Sequence, residues 1–320
     1  MKTKVLVAGT KFVERLDTRR EQLVTACNEL RSFLERVLLS RASEIHAISA
    51  RPKDTASLRE KILRKKYTEP ARQVTDLLGG RVIVLFSDHV DPIAQVIREH
   101  LEIDDRRSID KRSALGGAEF GYRSVHLVGR VSESWRRQCA ILKPFKFEIQ
   151  VRSLLEHAWS EIEHEVIYKS GSDPQERKRE FASLAGMLEL VDRKFCEARA
   201  AEARDVDTFR SEFELGKHIG ENLDGIKMLA ILGSKTQGPL LPRRFTQMAL
   251  RLLEASKITT TTALELELEQ KWFKKAVQSF CTRQNPVIAP RDVPQLTAIA
   301  LIAKQHAPKT LAFALPDIAV

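Results

Sequence analysis

A chain of 320 residues, 43% hydrophobic and 30% charged, is long and apolar enough for one large or two ordinary globular domains, which excludes disorder over long stretches. Its net charge of +10 and pI of about 9.5 favour polyanionic partners such as nucleotides or RNA. The four cysteines, Cys27, Cys139, Cys196 and Cys281, form no CxxC pair, which argues against a disulfide framework or a cysteine zinc site and for a reducing compartment.

Residues 11 to about 48 carry Phe12, Leu16, Leu23, Val24, Cys27, Leu30, Leu34, Val37 and Leu38 mostly every three or four positions, which predicts a helix. The apolar stretch Val5–Gly9 before it is too short for a signal-peptide core. Nowhere does an apolar run of about 18 residues occur, so no membrane span is expected and the cytoplasm is the expected location. A short, very basic helix follows over 53–66, with Ser57 near its start. The run GGRVIVLF (79–86), β-branched and led by two glycines, predicts a buried strand, and 89–100 a helix after it. Residues 104–121 are polar and glycine-bearing and read as a long loop. Strands are predicted at 122–131 and 145–152, where apolar and polar residues alternate, and helices at 153–169 and 174–204. Composition changes near 205. Helices at 208–231, 242–256, 262–282 and 292–306 would make residues 205–320 a smaller helical domain behind a first domain of 1–204.

Chemistry concentrates in four blocks of the first domain. Arg51, Lys53 and Lys61 place cations on and just before one helix, with Lys61 four residues after Ser57 and on the same face, as a triphosphate requires. Asp76 precedes one buried strand and Glu148 lies within another. Two carboxylates brought together this way suit Mg²⁺, a hard cation that seeks oxygen ligands. Tyr122 follows Gly121 and can offer a stacking platform for a base, and His126 shares its strand face. His157, Glu161 and His164 share a helix face, but a zinc site there would lack further ligands. Gly233-Ser-Lys-Thr ends like a P-loop whose first glycine is misplaced, so no P-loop is assigned.

Taken in order, RPKxxxSLxxK (51–61), DLLGGRVIV (76–84), GYRSVH (121–126) and EIQVRS (148–153), followed by HAWSEIEHEVIYK, resemble the synthetase domain of RelA/SpoT proteins, as in small alarmone synthetases. That resemblance implies an α/β (α+β) fold: a mixed, twisted sheet flanked by helices, with a nucleotidyltransferase-like core. It implies an enzyme that, with Mg²⁺ as cofactor, moves the β,γ-pyrophosphate of ATP to the 3′-hydroxyl of GDP or GTP, making (p)ppGpp and releasing AMP. Arg51, Lys53, Ser57 and Lys61 would hold ATP. Asp76 and Glu148 would bind the metal, with Glu148 also taking the hydroxyl proton. Tyr122 would stack on the acceptor base, and His126 and Arg152 would contact phosphates.

The loop before Gly121 departs from the PKxNGY of many relatives. It reads GGAEFGY, so the acceptor-contacting lysine is missing and Lys111 and Arg112 are the nearby cations. A second reading therefore keeps the chemistry and changes the acceptor to the 3′-CCA end of tRNA, as in toxin-type members, with residues 205–320 as a neutralising or sensing module. A third, of another class, is a catalytically weak nucleic-acid-binding regulator. No His-Asp doublet of the family's hydrolase domains occurs, so no alarmone hydrolysis is expected. A homo-oligomer and a protein partner for the C-terminal domain are left open.

Overall fold

The computed structural model describes residues 2–38, 41, 44–110, 124–168, 175–235, 245–272 and 294–308. The chain divides into two compact units, Met1–Cys196 and Glu197–Val320.

The first unit is built on a mixed sheet. Its strands are β1 (Ile45–Pro52), β2 (Leu78–Val84), β3 (Leu101–Ile103), β4 (Ile109–Asp110), β5 (Val125–Val131) and β6 (Phe147–Ser153). They lie in the order β1-β2-β6-β5-β3, with β4 paired to β5. Among the described residues only β2 and β6 run parallel, with Leu78 opposite Phe147 and Gly79 opposite Glu148; β1–β2, β3–β5, β4–β5 and β5–β6 are antiparallel. Side chains alternate across each strand. Leu78, Val82 and Val84 of β2, Phe147, Ile149 and Val151 of β6, and Val125 and Leu127 of β5 are buried in one apolar cluster. The intervening residues, among them Arg81, Glu148 and Gln150, are not part of that cluster.

Helices α1 (Lys2–Asp17) and α2 (Arg20–Val37) precede the sheet. One unbroken helix from 11 to about 48 was the sequence expectation, and the structure corrects it twice. First, the helix breaks at Thr18–Arg19 because its two halves bury different stripes. Leu23, Cys27, Leu30, Leu34 and Val37 of α2 join the sheet's cluster. Val5 and Val13 of α1 join a separate small cluster with Leu58, Ile62 and Val74. Second, residues 45–48 are strand. Ile45, Ile48 and Ala50 pack against the sheet cluster at every second or third position, and Pro52, which has no N–H to donate, closes an edge strand where that costs nothing.

Helix α3 (Thr55–Lys65) is capped by Asp54, whose carboxylate accepts the Ser57 N–H at 2.8 Å, and ends where Lys66 turns left-handed. The one-turn α4 (Pro70–Gln73) leads to β2. Helix α5 (Val90–His100) buries Val90, Ile93, Ala94 and Ile97 in the sheet cluster. The strand expected from 122 is described from Val125; residues 111–123, including most of the expected loop, lie outside the described residues. Helix α6 (Leu154–Glu163) opens directly from β6 with a capping box, Ser153 accepting from the Glu156 N–H and Glu156 from the Ser153 N–H. It is followed by a π-helical turn, His164–Tyr168.

Helix α7 (Gln175–Glu214) runs past the expected end at 204. In the second unit, Val206, Phe209 and Phe213 of α7 form a core with α8 (Gly225–Lys235), α9 (Thr246–Ala255), α10 (Thr261–Glu269) and α11 (Pro294–His306). The helix expected over 208–231 is interrupted, because Gly216, His218 and Gly220 adopt φ of +79°, +61° and +75°, incompatible with a right-handed helix. Residues 242–244, 273–282 and 292–293 of the expected helices lie outside the described residues. Among the described residues no helix is long and apolar enough to cross a membrane.

Gly129 of β5 faces the neighbouring strand so closely that a Cβ there would stand 2.7 Å from the Glu102 carbonyl oxygen. A Cβ on Gly79 would meet only the Arg51 carbonyl oxygen, at 3.7 Å. Gly129→Ala should therefore cost about 1–3 kcal/mol in urea unfolding, and Gly79→Ala distinctly less. Equal costs would contradict this packing.

Candidate active site

The parallel pairing of β2 with β6 brings the two expected carboxylates to one place. Glu148 is the second residue of β6 and sits opposite Gly79, three residues after Asp76. Both line a cavity of about 310 Å³ with Ser49, Arg51, Lys53, Asp54, Ser57 and Arg81 among its walls. Each wall residue follows from local structure. Ser49 and Arg51 are two apart on β1, Gly79 and Arg81 on β2, and Glu148 and Gln150 on β6, so strand alternation turns each pair to the same face. Lys53 leaves the end of β1 with its N–H held by the Leu77 carbonyl at 2.9 Å, next to Asp76 in the chain. Ser57 lies in the first turn of α3.

Asp76 receives two ammonium groups on one oxygen. Lys53 Nζ lies 2.9 Å and Lys61 Nζ 2.7 Å from Oδ2. The carboxylate is only 11% exposed, and its other oxygen, Oδ1, is buried with no hydrogen-bond partner. An unpaired buried carboxylate oxygen carries a desolvation cost that a cation would remove. Glu148 accepts from His126 Nδ1 at 2.7 Å and from Gln150 Nε2 at 3.1 Å, both on Oε1. Burial pushes its carboxyl up, but the hydrogen bond and charge of His126, the Gln150 amide and the more distant Lys61 outweigh that and lower it from 4.5 to about 2. Asp76 and Glu148 fit a Mg²⁺ ion of the kind that takes one or two carboxylates and completes its shell with water and substrate phosphate. Among the described residues no cluster of three or more His, Cys, Asp or Glu could hold a metal.

Of the residues singled out in the sequence, Arg51, Lys53, Ser57, Asp76 and Glu148 line the cavity, and Lys61 reaches it through Asp76. His126 has both ring nitrogens engaged, with Glu148 and with Ser124 Oγ at 2.8 Å. Arg152 is buried and donates to the Gln150 side chain. Tyr122, Lys111 and Arg112 lie outside the described residues. Of His157, Glu161 and His164, Glu161 pairs with Arg81 at 2.9 Å, and His157 is held below its usual range by burial and by the Arg81 charge. Sequence reasoning gave no role to Ser49, Arg81 or Gln150. The signal for Arg81 and Gln150 was present, since each sits two residues from a wall position on a strand.

Comparison with known proteins follows the same segment. Residues 50–173 match the family model described as the region found in RelA / SpoT proteins. GTP pyrophosphokinase YjbM of Bacillus subtilis (strain 168) is 29% identical over 170 residues, 49% of this chain and 73% of that protein. GTP pyrophosphokinase YwaC of the same organism is 25% identical over 156 residues, 47% of this chain and 71% of that protein. Among solved structures, small alarmone synthetase 1 from Bacillus subtilis bound to its product pppGpp is 25% identical, covering 59% of this chain and 98% of that one at a TM-score of 0.49.

A carboxyl lowered from 4.5 to about 2 stabilises the folded state fully above the unfolded value and loses that contribution as pH falls towards 2. Urea unfolding between about pH 5 and pH 2 should lose stability more steeply in the wild type than in Glu148→Gln. Parallel curves would show that Glu148 is not held ionised in this way.

Proposed function

The chain carries a RelA/SpoT-family domain over residues 50–173, and from that premise we propose that it is a pyrophosphokinase. In this reading it transfers the β,γ-pyrophosphate of ATP to the 3′-hydroxyl of GDP or GTP and releases AMP. The observation that carries the reading is the convergence of two carboxylates, Asp76 and Glu148, with Arg51 and Lys53 around one cavity. That is the charge pattern a metal-bound triphosphate needs. The relatives named GTP pyrophosphokinase lend further support.

Arg51, Lys53 and Lys61 bind and orient the triphosphate, and Ser57 adds a hydroxyl and the first turn of α3, where helix N–H groups favour anions. Asp76 and Glu148 would hold Mg²⁺, which would supply charge neutralisation at the phosphate oxygens. The acceptor 3′-oxygen forms its bond to the β-phosphorus as the bond to the α,β-bridging oxygen breaks and AMP leaves. The hydroxyl proton goes to Glu148. A carboxylate at about 2 is a weak base, but in a loose phosphoryl-transfer transition state the attacking oxygen becomes strongly acidic only as its bond forms, so a weak base late in the reaction suffices. Tyr122 stacks on the acceptor base.

The net charge of +10 also suits a polynucleotide acceptor. Incubation with Mg²⁺ and ATP labelled at the γ-phosphate, with GDP, GTP or tRNA, is expected to place label in a guanosine product. Label in RNA would move the acceptor to tRNA, and absence of AMP with every acceptor would favour a binding regulator. Asp76→Asn and Glu148→Gln, both nearly isosteric, should each reduce turnover by roughly 100-fold or more, with the circular dichroism spectrum unchanged. Full turnover in either variant would remove that residue from the mechanism.

A further inference from the structure

His126 is placed for a different task from the phosphate contact its motif suggests. It lies on β5 opposite Gln150 of β6, and Val128 lies opposite Glu148. From there the imidazole enters a row of side chains running across the two strands. Ser124 Oγ meets His126 Nε2 at 2.8 Å, and His126 Nδ1 meets Glu148 Oε1 at 2.7 Å. Gln150 Nε2 donates to the same Oε1 at 3.1 Å, and the Arg152 guanidinium donates to the Gln150 side-chain amide oxygen.

Three features of this row decide the role. A carboxylate only accepts, so Nδ1 carries a proton and the His126–Glu148 bond has one direction. Ser124 is fully buried; turning the imidazole towards a ligand would strand either its hydroxyl or the Glu148 oxygen in a water-poor setting, at a cost no single phosphate contact recovers cheaply. Both donors to Glu148 use Oε1, and among the described residues none reaches Oε2. One oxygen of the carboxylate is thus fixed by the protein while the group lines the cavity.

We propose that His126 is a positioning residue: together with Gln150 it fixes Oε1 of Glu148 and so presents Oε2 to the divalent cation, and it does not bind the acceptor's phosphates. The inference rests on the pyrophosphokinase reading for its metal, and it assigns His126 to the shell behind the metal ligand. Such partners hold a ligand's orientation, and their loss typically weakens metal affinity or activity by about 10- to 100-fold.

Two variants separate this role from phosphate binding. His126→Ala removes the donor. His126→Asn returns an amide N–H near the place of Nδ1 and has no second nitrogen for a phosphate. In His126→Ala, Mn²⁺ binding to the complex with a non-hydrolysable methylene-bridged ATP analogue, followed by electron paramagnetic resonance, should weaken about 10-fold or more. The turnover number should fall by a similar factor while KM for the acceptor stays within about twofold. His126→Asn should recover most of both losses. A raised acceptor KM with unchanged Mn²⁺ affinity, or an asparagine variant no better than alanine, overturns the proposal. Wild-type protein that binds Mn²⁺ with the analogue but releases no AMP would refute the pyrophosphokinase reading alone, because the Mn²⁺ comparison still judges His126. Wild-type protein that binds no Mn²⁺ would refute the proposal itself.

Discussion

The parallel pairing of β2 with β6 is the constraint on which the rest of the first unit depends. Asp76 and Glu148 are far apart in sequence, and nothing local relates them. Placing Gly79 opposite Glu148 brings both to the wall of one cavity. A shift of one residue in that register would turn Glu148, Gln150 and Arg152 into the apolar cluster and bring Phe147 and Ile149 out of it. Because three buried side chains of β6, Phe147, Ile149 and Val151, would have to leave the core for polar ones to enter, the register that stabilises the fold is also the one that assembles the site.

Charge balance explains how such a site exists without substrate. Asp76 is shared by Lys53 and Lys61, and Glu148 is held by His126 and Gln150, so neither carboxylate is left to bear its burial alone. Ion pairs of this kind recover little more than the cost of desolvating them. Exchanging the partners would therefore be cheap: on the proposed function, a polyphosphate would take the two ammonium groups while a cation would take Asp76, with total charge compensation preserved. The buried Oδ1 of Asp76, without a partner, marks where that compensation is incomplete.

What the sequence disclosed follows from the range of each interaction. The blocks 51–61, 76–84 and 148–153 were legible because strand alternation and helix spacing are local, and the cavity gathers their cations and carboxylates. Strand β1 reads as the end of a helix because Ile45, Ile48 and Ala50 are few and spaced by three and then two, the register being shifted between Ile45 and Ala47, and only pairing with β2 makes them a strand. The break between α1 and α2 was hidden for a related reason: both halves have helical spacing, and the difference lies in which core each one faces. The place of His126 was not legible at all. Its partners Glu148 and Gln150 come from another strand, and a motif shows which residues stand together in sequence without showing which side chains meet across a sheet.

The two groups of charge that meet at Asp76 are also mounted on different supports. Glu148 and the strands beside it belong to the sheet and are braced by the large cluster that α2 and α5 complete. Ser57 and Lys61 ride on α3, whose Leu58 and Ile62 are buried with Val5, Val13 and Val74 in a cluster of far fewer side chains. A polar bond, Lys61 to Asp76, ties this helix to the segment that leads into β2. Local stability follows buried apolar contact, so α3 belongs to the part that yields at lower free energy. A nucleotide that drew Lys61 from Asp76 would loosen the link between the two supports at the moment it supplied a new one through its own phosphates, which makes the ligand part of the structure that holds the site together.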